Sequence, residues 1–134
     1  CTQGFSTEGK KVALIGHLVL QPDALKGASE VYIIERDPKP GDYPDSACEY
    51  ILPESDIVIM TASAAINKTL PRLLELSKNA VSIIIGPTTP LCPELKALGI
   101  DRLSGMVVRD KATFEAWATA SHGSPYKHGD VFMI

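Results

Sequence analysis

The sequence predicts an α/β fold of Rossmann type, in which a doubly wound, mostly parallel sheet carries helices. Five short apolar runs, rich in β-branched residues, predict its strands. They are VALIG at 12–16, VYII at 31–34, IVIM at 57–60, VSIII at 81–85 and MVV at 106–108. The runs are nearly continuous rather than alternating, which is typical of strands buried on both faces of a parallel sheet. They begin 19 to 26 residues apart, and this spacing leaves room for a crossover between successive strands.

The connections in the first half of the chain are short or irregular. Residues 17–30 leave room for only one or two helical turns, predicted from Pro22 to Lys26 and ended by Gly27. Residues 37–46 are rich in proline and are predicted to hold no regular structure. A short edge strand is predicted near Glu49–Leu52. With that strand included, the expected strand order is 3-2-1-4-5-6.

Helix signals stand between the later strands. Helices are predicted over 69–78, over 93–98 and from about 111 to 123. Each begins at a residue type that favours a helix start, namely Thr69, Pro93 and Asp110. The tail at 121–130 is polar and is predicted to be irregular.

Composition indicates one globular domain over residues 1–134. The chain is 45% hydrophobic and 22% charged, with a net charge of −3. No apolar run approaches the roughly 20 residues that span a membrane. The mild acidity also gives no electrostatic case for binding nucleic acid. The cysteines, Cys1, Cys48 and Cys92, are odd in number and lack CxxC spacing. They therefore argue against a disulfide scaffold or a zinc finger, and they favour the reducing cytoplasm.

The start of the chain carries no secretory signal pattern. The first residue is Cys1 rather than Met, and an apolar strand follows only ten residues later. We therefore expect the chain to be a piece of a longer protein, with part of its functional machinery elsewhere.

Ligands of doubly wound sheets bind at the carboxyl ends of the strands, where the strand order reverses. At the first turn, Gly16 and Glu35 match two positions of the dinucleotide-binding fingerprint. No second or third glycine follows Gly16, since the next residues are His-Leu-Val-Leu. We therefore do not expect ordinary nicotinamide binding. Glu35 is better explained as a solvated acid at a strand end.

Hydroxyl groups follow the third and fourth main strands. Thr61, Ser63 and Asn67 leave one strand, and Gly86, Pro87, Thr88 and Thr89 leave the next. Neighbouring parallel strands end at the same edge, so these turns are predicted to cradle a phosphate or carboxylate. The alternative is that the hydroxyls only cap helices and turns.

His17 is the titratable residue best placed for chemistry, because it leaves the central strand. It is predicted to act as a general base or as a ligand, with a packing histidine as the alternative. His122 and His128 are predicted to be exposed. Cys48 and Cys92 are predicted to be small buried fillers. The sequence contains no closed set of cysteine and histidine ligands at metal-binding spacing.

One long ordered stretch carries a family resemblance. The string GDYPDSACEYILPESDIVIMTASAAINKTLPRLLELSKNA, followed by IIIGPTTPLCP and LSGMVVRD, resembles the putative heavy-metal chelation family of uncharacterised prokaryotic proteins. The segment IGHLVLQP and the pair Glu35–Arg36 fit as well. The resemblance covers about residues 11–110.

The resemblance implies more than the residues alone. Family members look like two-domain proteins, in which a small domain similar to the enolase N-terminal fold precedes a Rossmann-like domain. The ligand site is expected in the cleft between them, and this chain resembles only the second domain. The residues carried over by position are Gly16, His17, Glu35, Thr61, Ser63, Asn67, Gly86, Pro87 and Thr88. Where relatives often have hydroxyl residues, this chain has Ala62, Ala64 and Ala65.

The resemblance leads to one functional prediction and keeps its rivals open. The prediction is a cytoplasmic domain that binds a small molecule or a metal complex through an anionic group. The first rival is a lyase- or transferase-type enzyme that uses His17 as a base and is completed by the other domain. The second is an enzyme dependent on nicotinamide or S-adenosylmethionine. A homodimer is left open.

Overall fold

The computed structural model describes residues 6–21, 23–120 and 123–134, and within those residues the chain forms seven strands in one sheet. The strands are β1 (Lys11–Ile15), β2 (Glu30–Glu35), β3 (Tyr43–Pro44), β4 (Ile57–Thr61), β5 (Val81–Ile85), β6 (Arg102–Val108) and β7 (Gly129–Met133). The α-helices are α1 (Cys48–Ile51), α2 (Ser63–Ile66), α3 (Leu70–Leu76) and α4 (Lys111–Ala120). Short 3₁₀ helices cover Asp45–Ala47, Leu52–Glu54, Pro93–Leu98 and Pro125–His128.

The strand order is β3-β2-β1-β4-β5-β6-β7. Strands β1 to β6 run parallel, and β7 pairs antiparallel with β6. In the centre, Val12 of β1 lies opposite Val31 of β2 and Ile57 of β4. The predicted parallel α/β fold is therefore confirmed. The order reverses between β1 and β4, which fixes the switch point at their carboxyl ends.

Both faces of the sheet are apolar, which explains the continuous apolar runs. One face presents Ala13, Val58, Met60 and Ile84 to side chains that include Leu52 and Leu73 of the helical segments. The opposite face of the sheet packs against the first crossover. Leu18, Leu20 and Leu25 of the crossover cover the sheet residues Val12, Leu14, Ile57, Ile59, Ile83 and Ile85.

The edge strand predicted near Glu49–Leu52 is wrong, because that stretch is helical. Cys48 and Leu52 are both buried, four residues apart, which is helical spacing. The edge strand is instead the two-residue β3 at Tyr43–Pro44, in the stretch predicted to lack regular structure. The Tyr43 ring packs edge-on against Tyr32 of β2, with centroids 5.7 Å apart.

The first crossover and the C-terminal tail also differ from the prediction. The first crossover forms hydrogen-bonded turns from Asp23 to Gly27 rather than a helix, and Pro22 lies outside the described residues. The tail predicted to be irregular contains a 3₁₀ helix and the start of β7. This pairing needs a glycine at 129, since a Cβ there would lie 2.5 Å from the side chain of Met106.

The later helices follow the sequence signals. Asp110 begins α4, where its carboxylate accepts the Ala112 N–H at 2.9 Å. Thr69 precedes α3, but its hydroxyl donates to the Ala64 carbonyl instead of capping that helix. Among the described residues, no helix has the length and apolarity needed to cross a membrane.

Candidate functional site

The switch point brings Gly16 and Thr61 side by side. A Cβ built on Gly16 would lie 3.6 Å from Thr61 Cγ2 and 3.8 Å from Glu35 Oε1. The positive φ of Gly16, +97°, suits glycine. Two crevices open at this edge of the sheet, and Thr61 lines both. The small crevice, about 140 Å³, is lined by Gly16, Glu35, Arg36, Asp45, Thr61, Ser63 and Asn67 among others. The large crevice, about 450 Å³, is lined by His17, Leu18, Val19, Thr61, Ile85, Gly86, Pro87 and residues 123–126.

In the small crevice, the Glu35 carboxylate is engaged by its own chain. Oε1 accepts the His17 N–H at 2.8 Å, and Oε2 accepts the Arg36 N–H at 3.2 Å. The side chain thus ties the turn after β1 to the turn after β2. Glu35 matches the ribose-binding position of the dinucleotide fingerprint, but in this structure its carboxylate accepts backbone N–H groups.

The hydroxyls that follow β4 bond to each other. Thr61 Oγ1 accepts the Ser63 N–H at 3.3 Å and the Ser63 hydroxyl at 3.2 Å. Both lone pairs of Thr61 are thereby used, so its own O–H remains to donate. Asn67 is exposed at the end of α2, where its backbone N–H donates to the Ser63 carbonyl at 2.8 Å. This turn is therefore organised by local hydrogen bonds, with Thr61 at its centre.

His17 pairs with a carboxylate that the sequence analysis missed. Its Nε2 lies 2.8 Å from Asp42 Oδ2, and the Asp42 side chain is only 6% exposed. The same oxygen accepts the Lys39 N–H at 2.8 Å. This backbone hydrogen bond, followed by the contact with His17, lowers the pKa of Asp42. An ionised Asp42 only accepts hydrogen bonds, so Nε2 carries the proton and Nδ1 is left as the basic nitrogen.

One signal could have found Asp42. It lies in the proline-rich loop that leaves β2, and β2 is the parallel neighbour of β1. Loops that leave adjacent parallel strands share one edge of the sheet. A carboxylate in that loop was therefore a candidate partner for His17.

The predicted site residues in the turn after β5 do not all lie at a crevice. Gly86 and Pro87 line the large crevice, whereas the exposed Thr88 lines neither crevice. The Thr89 N–H donates to the Gly86 carbonyl at 3.1 Å. Thr89 is buried, and its Oγ1 has no hydrogen-bond partner among the described residues. The structure thus brings Thr61, Gly86 and Pro87 to the large crevice, and it places Ser63 and Asn67 at the small one.

A wall of the large crevice comes from the C-terminal segment, which sequence reasoning also missed. The carbonyl of Gly123 accepts Trp117 Nε1–H at 3.2 Å, and the carbonyl of Lys127 accepts an N–H of the Arg109 guanidinium at 3.3 Å. These hydrogen bonds hold the segment in which Tyr126 lines the large crevice. Burial raises the pKa of the Tyr126 phenol. The segment is polar and short, so it gave no periodic signal. The contact with α4 determines its position.

The other histidine and the two cysteines that the structure describes do not line either crevice. His128, predicted to be exposed, is half-buried, with its ring centroid 6.0 Å from that of Trp117. Cys48 is buried, and burial raises the pKa of its thiol to about 11. The Cys92 thiol lies 2.8 Å from a Glu94 carboxylate oxygen, which raises its pKa. Cys1 and His122 lie outside the described residues.

The described part of the chain holds no group of three or more His, Cys, Asp or Glu residues placed to bind a metal ion. A closed heavy-metal site normally needs about four such donors. The side chains of the described residues therefore do not fit a metal ion that they alone would hold. A metal that arrives with its own organic ligand requires no such set.

Comparison with known proteins identifies similar sequences and folds. A family model described as "DUF364: Putative heavy-metal chelation" matches residues 5–130. An uncharacterized protein of Methanocaldococcus jannaschii is 32% identical over 108 residues, which are 75% of this chain and 42% of that protein.

Two solved structures, both of DUF364-family proteins of unknown function, are similar over nearly the whole chain. The one from Desulfitobacterium hafniense DCB-2 has a TM-score of 0.89 and 42% identity, and it covers 96% of this chain and 53% of that one. The one from Pyrococcus horikoshii has a TM-score of 0.85 and 27% identity, with 99% and 57% covered. The chain thus spans about half the length of these relatives.

Proposed function

This chain belongs to the DUF364 family of putative heavy-metal chelation proteins, and from that premise we propose that it binds a small anionic ligand in the large crevice. The ligand is either a free small molecule or the organic part of a metal complex. One observation carries the proposal. The large crevice lies at the switch point of the sheet, and its wall includes Thr61, whose hydroxyl still has its hydrogen to donate because Ser63 occupies its lone pairs.

The charges around the two crevices favour an anion in the large one. Among the described residues that line it, none is a carboxylate, and the polar groups include Thr61, His17 and Tyr126. The small crevice is lined by Glu35 and Asp45, with Arg36 as its basic residue. Two carboxylates repel an anion, so we assign the ligand to the large crevice. Gly16, Glu35, Ser63 and Asn67 form the neighbouring margin of the proposed site.

A metal fits this proposal as cargo rather than as a resident ion. The described residues supply no set of three donors for it. A chelated metal brings its own donors, and the protein then needs to recognise only the outer oxygens of the chelator. Hydroxyl groups such as those of Thr61 and Tyr126 suit that task, because they donate hydrogen bonds to anionic oxygen.

The relatives are about twice as long as this chain, which covers 42% to 57% of their lengths. We propose that the additional part of the full-length proteins contributes the opposite wall of the cleft at the carboxyl edge. Closure by a second domain would exclude water and strengthen the polar contacts to the ligand. Under this proposal, the chain supplies the Rossmann-like half of the site and functions in the cytoplasm.

The test uses an anomalous scatterer as the anion. Crystals of the chain soaked in selenate should show density in the large crevice, within hydrogen-bonding distance of Thr61. In solution, Thr61→Val should weaken phosphate binding by about tenfold, through loss of one hydrogen bond to a charged group. Thr119→Val, on the exposed surface of α4, is the matched control and should bind as the unaltered chain does. Density only in the small crevice, or unchanged affinity in Thr61→Val, would contradict the proposal.

A second candidate, an enzyme of lyase or transferase type, rests on the pairing of His17 with Asp42. A buried carboxylate that orients an imidazole is a common arrangement of a general base. His17 Nδ1 would accept a proton from a substrate in the large crevice, which His17 also lines. The nicotinamide and S-adenosylmethionine variants are less favoured, because Glu35 already accepts two backbone N–H groups.

Metabolite analysis separates the two candidates. The full-length protein would be incubated with a cell extract, and the bound and free small molecules identified by mass spectrometry. A binding protein should retain a molecule unchanged. An enzyme should deplete one molecule and accumulate another, and His17→Ala should stop that conversion. If the unaltered protein and His17→Ala both retain the same molecule unchanged, His17 does not act as a base.

A further inference from the structure

Strand β7 forms one edge of the sheet, and its outer side pairs with no other strand of the described residues. Proteins usually protect such an edge with a short strand, a proline or several charges, because its open backbone groups can pair with another strand. The opposite edge, β3, is protected, since it has two residues and one is Pro44. β7 has five residues, no proline and a single charge, Asp130, which lies 3.6 Å from Arg109 Nε. β7 is therefore the edge that is open to another strand.

The hydrogen bonds between β7 and β6 show which backbone groups point outward. Leu103 and Ile134 exchange two backbone hydrogen bonds, at 3.0 and 2.9 Å. Hydrogen-bonded and non-hydrogen-bonded pairs alternate along an antiparallel ladder, and the register places Val131 and Met133 at non-hydrogen-bonded positions. The N–H and C=O groups of these two residues therefore point away from β6, and no backbone group of the described residues pairs with them.

The side chains along this edge are apolar and exposed. Phe132 is 50% exposed, and its neighbour across the ladder is Gly105, which has no side chain to pack against the ring. Val131, on the other face of the strand, is 43% exposed. Exposed aromatic residues are enriched where proteins contact each other. The edge thus combines unpaired backbone groups with an aromatic side chain suited to an interface.

The spacing of the outward groups fits a second copy of the same strand. When two β7 strands run antiparallel with Phe132 opposite Phe132, Val131 of each copy lies opposite Met133 of the other. Each copy has two outward N–H groups and two outward C=O groups, so the pairing forms four hydrogen bonds. Asp130 then lies opposite Ile134 of the second copy, so like charges do not face each other directly. Both copies use the same patch, and the arrangement closes with twofold symmetry.

We propose that this chain forms a homodimer in which the two β7 strands pair and continue one sheet across both copies. Phe132 lies on the twofold axis, at a non-hydrogen-bonded pair, where opposite side chains come closest. Directly opposite aromatic residues stabilise strand pairs of this kind. The proposal goes beyond the ligand site, because the residues of β7 line neither crevice.

A cysteine at the proposed axis tests the register. The Cα atoms of a non-hydrogen-bonded pair lie about 4.5 Å apart, a distance that a disulfide can span. Phe132→Cys should therefore form a covalent dimer in a glutathione redox buffer, measured by mass spectrometry without reductant. Val107→Cys is the matched control, because Val107 is 51% exposed on the same face but lies one strand away from the axis. It should cross-link no more than the unaltered chain does.

Sedimentation equilibrium measures the association itself. The unaltered chain should dimerise reversibly. Val131→Pro removes an outward N–H and leaves the pairing with β6 in place. Its dimer should dissociate at a concentration at least about tenfold higher, since two hydrogen bonds of the dimer are lost. An unaltered chain that stays monomeric, or equal cross-linking of the two cysteine variants, would refute the proposal. If Val131→Pro does not fold, the two cysteine variants still decide the question.

The full-length protein distinguishes a second copy from a strand supplied by the rest of the same protein. The solved relatives are about twice as long as this chain, which covers 53% and 57% of their lengths. Phe132→Cys should cross-link in the full-length protein as it does in the chain. A monomeric full-length protein whose introduced thiol resists alkylation would show that its own additional part covers β7, and this result would overturn the homodimer.

Discussion

The two crevices at the carboxyl edge share Thr61 and use their polar groups in opposite ways. In the small crevice, Glu35 accepts two backbone N–H groups, and Ser63 gives both of its donors to Thr61. In the large crevice, the Thr61 hydroxyl keeps its hydrogen to donate, because Ser63 occupies only its lone pairs. Groups of the first kind stabilise the turns that carry them. Groups of the second kind remain available to a ligand, and they therefore mark the more promising binding site.

The largest effect is expected when a side chain is added at Gly86, in the wall of the large crevice. Gly86→Ala would add a Cβ at the wall of the large crevice, 3.7 Å from Thr89 Oγ1, and at a φ of +145°. We expect phosphate affinity to fall by more than about tenfold. The free energy of unfolding should fall by roughly 1–3 kcal/mol, since a non-glycine residue is strained there. Calorimetry and denaturant unfolding measure the two effects.

Gly99→Ala separates the two causes. Gly99 ends the 3₁₀ helix over 93–98 with a φ of +91°, and a Cβ there meets no atom within 4 Å. This variant should lose stability through backbone strain and keep its affinity for phosphate. If Gly86→Ala binds phosphate as well as Gly99→Ala does, the open space beside Gly86 has no role in binding.

A smaller effect is expected where the loop after β2 meets the rim of the large crevice. Asp42 holds His17 and the Lys39 N–H, and its pKa is lowered in the folded chain. A carboxyl whose pKa is lowered by folding stabilises the fold above its ordinary pKa, about 3.9. That contribution is lost as the pH falls through the lower folded-state value. Asp42→Asn should therefore unfold at lower urea concentration at pH 7, and the difference should shrink below about pH 4.

Asp37→Asn is the control for this measurement, because Asp37 is an exposed acid in the same loop. It should unfold at the same urea concentration as the unaltered chain at both pH values. A stability loss in Asp42→Asn that persists unchanged into acid would show that the Asp42 charge does not carry the effect.

The smallest effect is expected for free metal ions, and it tests the small crevice. Carboxylates crowd that side, with Glu35 and Asp45 lining it, yet no described group of three donors is placed around a metal. We expect zinc, nickel and copper to bind this chain no more tightly than scattered surface histidines bind them. Calorimetry on the unaltered chain, His17→Ala and Cys92→Ala measures this. A stoichiometric site that disappears in either variant would make that residue a ligand and contradict this expectation.

The sequence identified the sheet better than the site. The run VSIII predicted β5 at its observed bounds, and the other four runs fall on β1, β2, β4 and β6. These strands are buried, so hydrophobicity alone marks them. β3 and β7 were missed, because their pairing depends on contacts with neighbours rather than on their own composition. Tyr43 packs against Tyr32, and Gly129 makes room for Met106.

The site shows the same division at the level of single residues. Gly16, His17, Thr61 and Gly86 follow predicted strands, and all four lie at the carboxyl edge. Asp42 and Tyr126 reach the same edge from loops distant in the chain, and no periodic signal marks them. Ser63 and Thr88 leave the expected strands, but one bonds to Thr61 and the other faces solvent.

By itself, the sequence determined which segments are buried, and through them the parallel sheet and the edge where its loops gather, because burial follows from apolar side chains. Which polar groups at that edge form hydrogen bonds within the chain, and which remain for a ligand, depends on the tertiary structure. Hydrogen-bond partners such as Glu35 with the His17 N–H, or Asp42 with the His17 ring, lie 18 and 25 residues apart. Such partners meet only after the strands have paired, so the polar groups that remain for a ligand can be identified only in the folded chain.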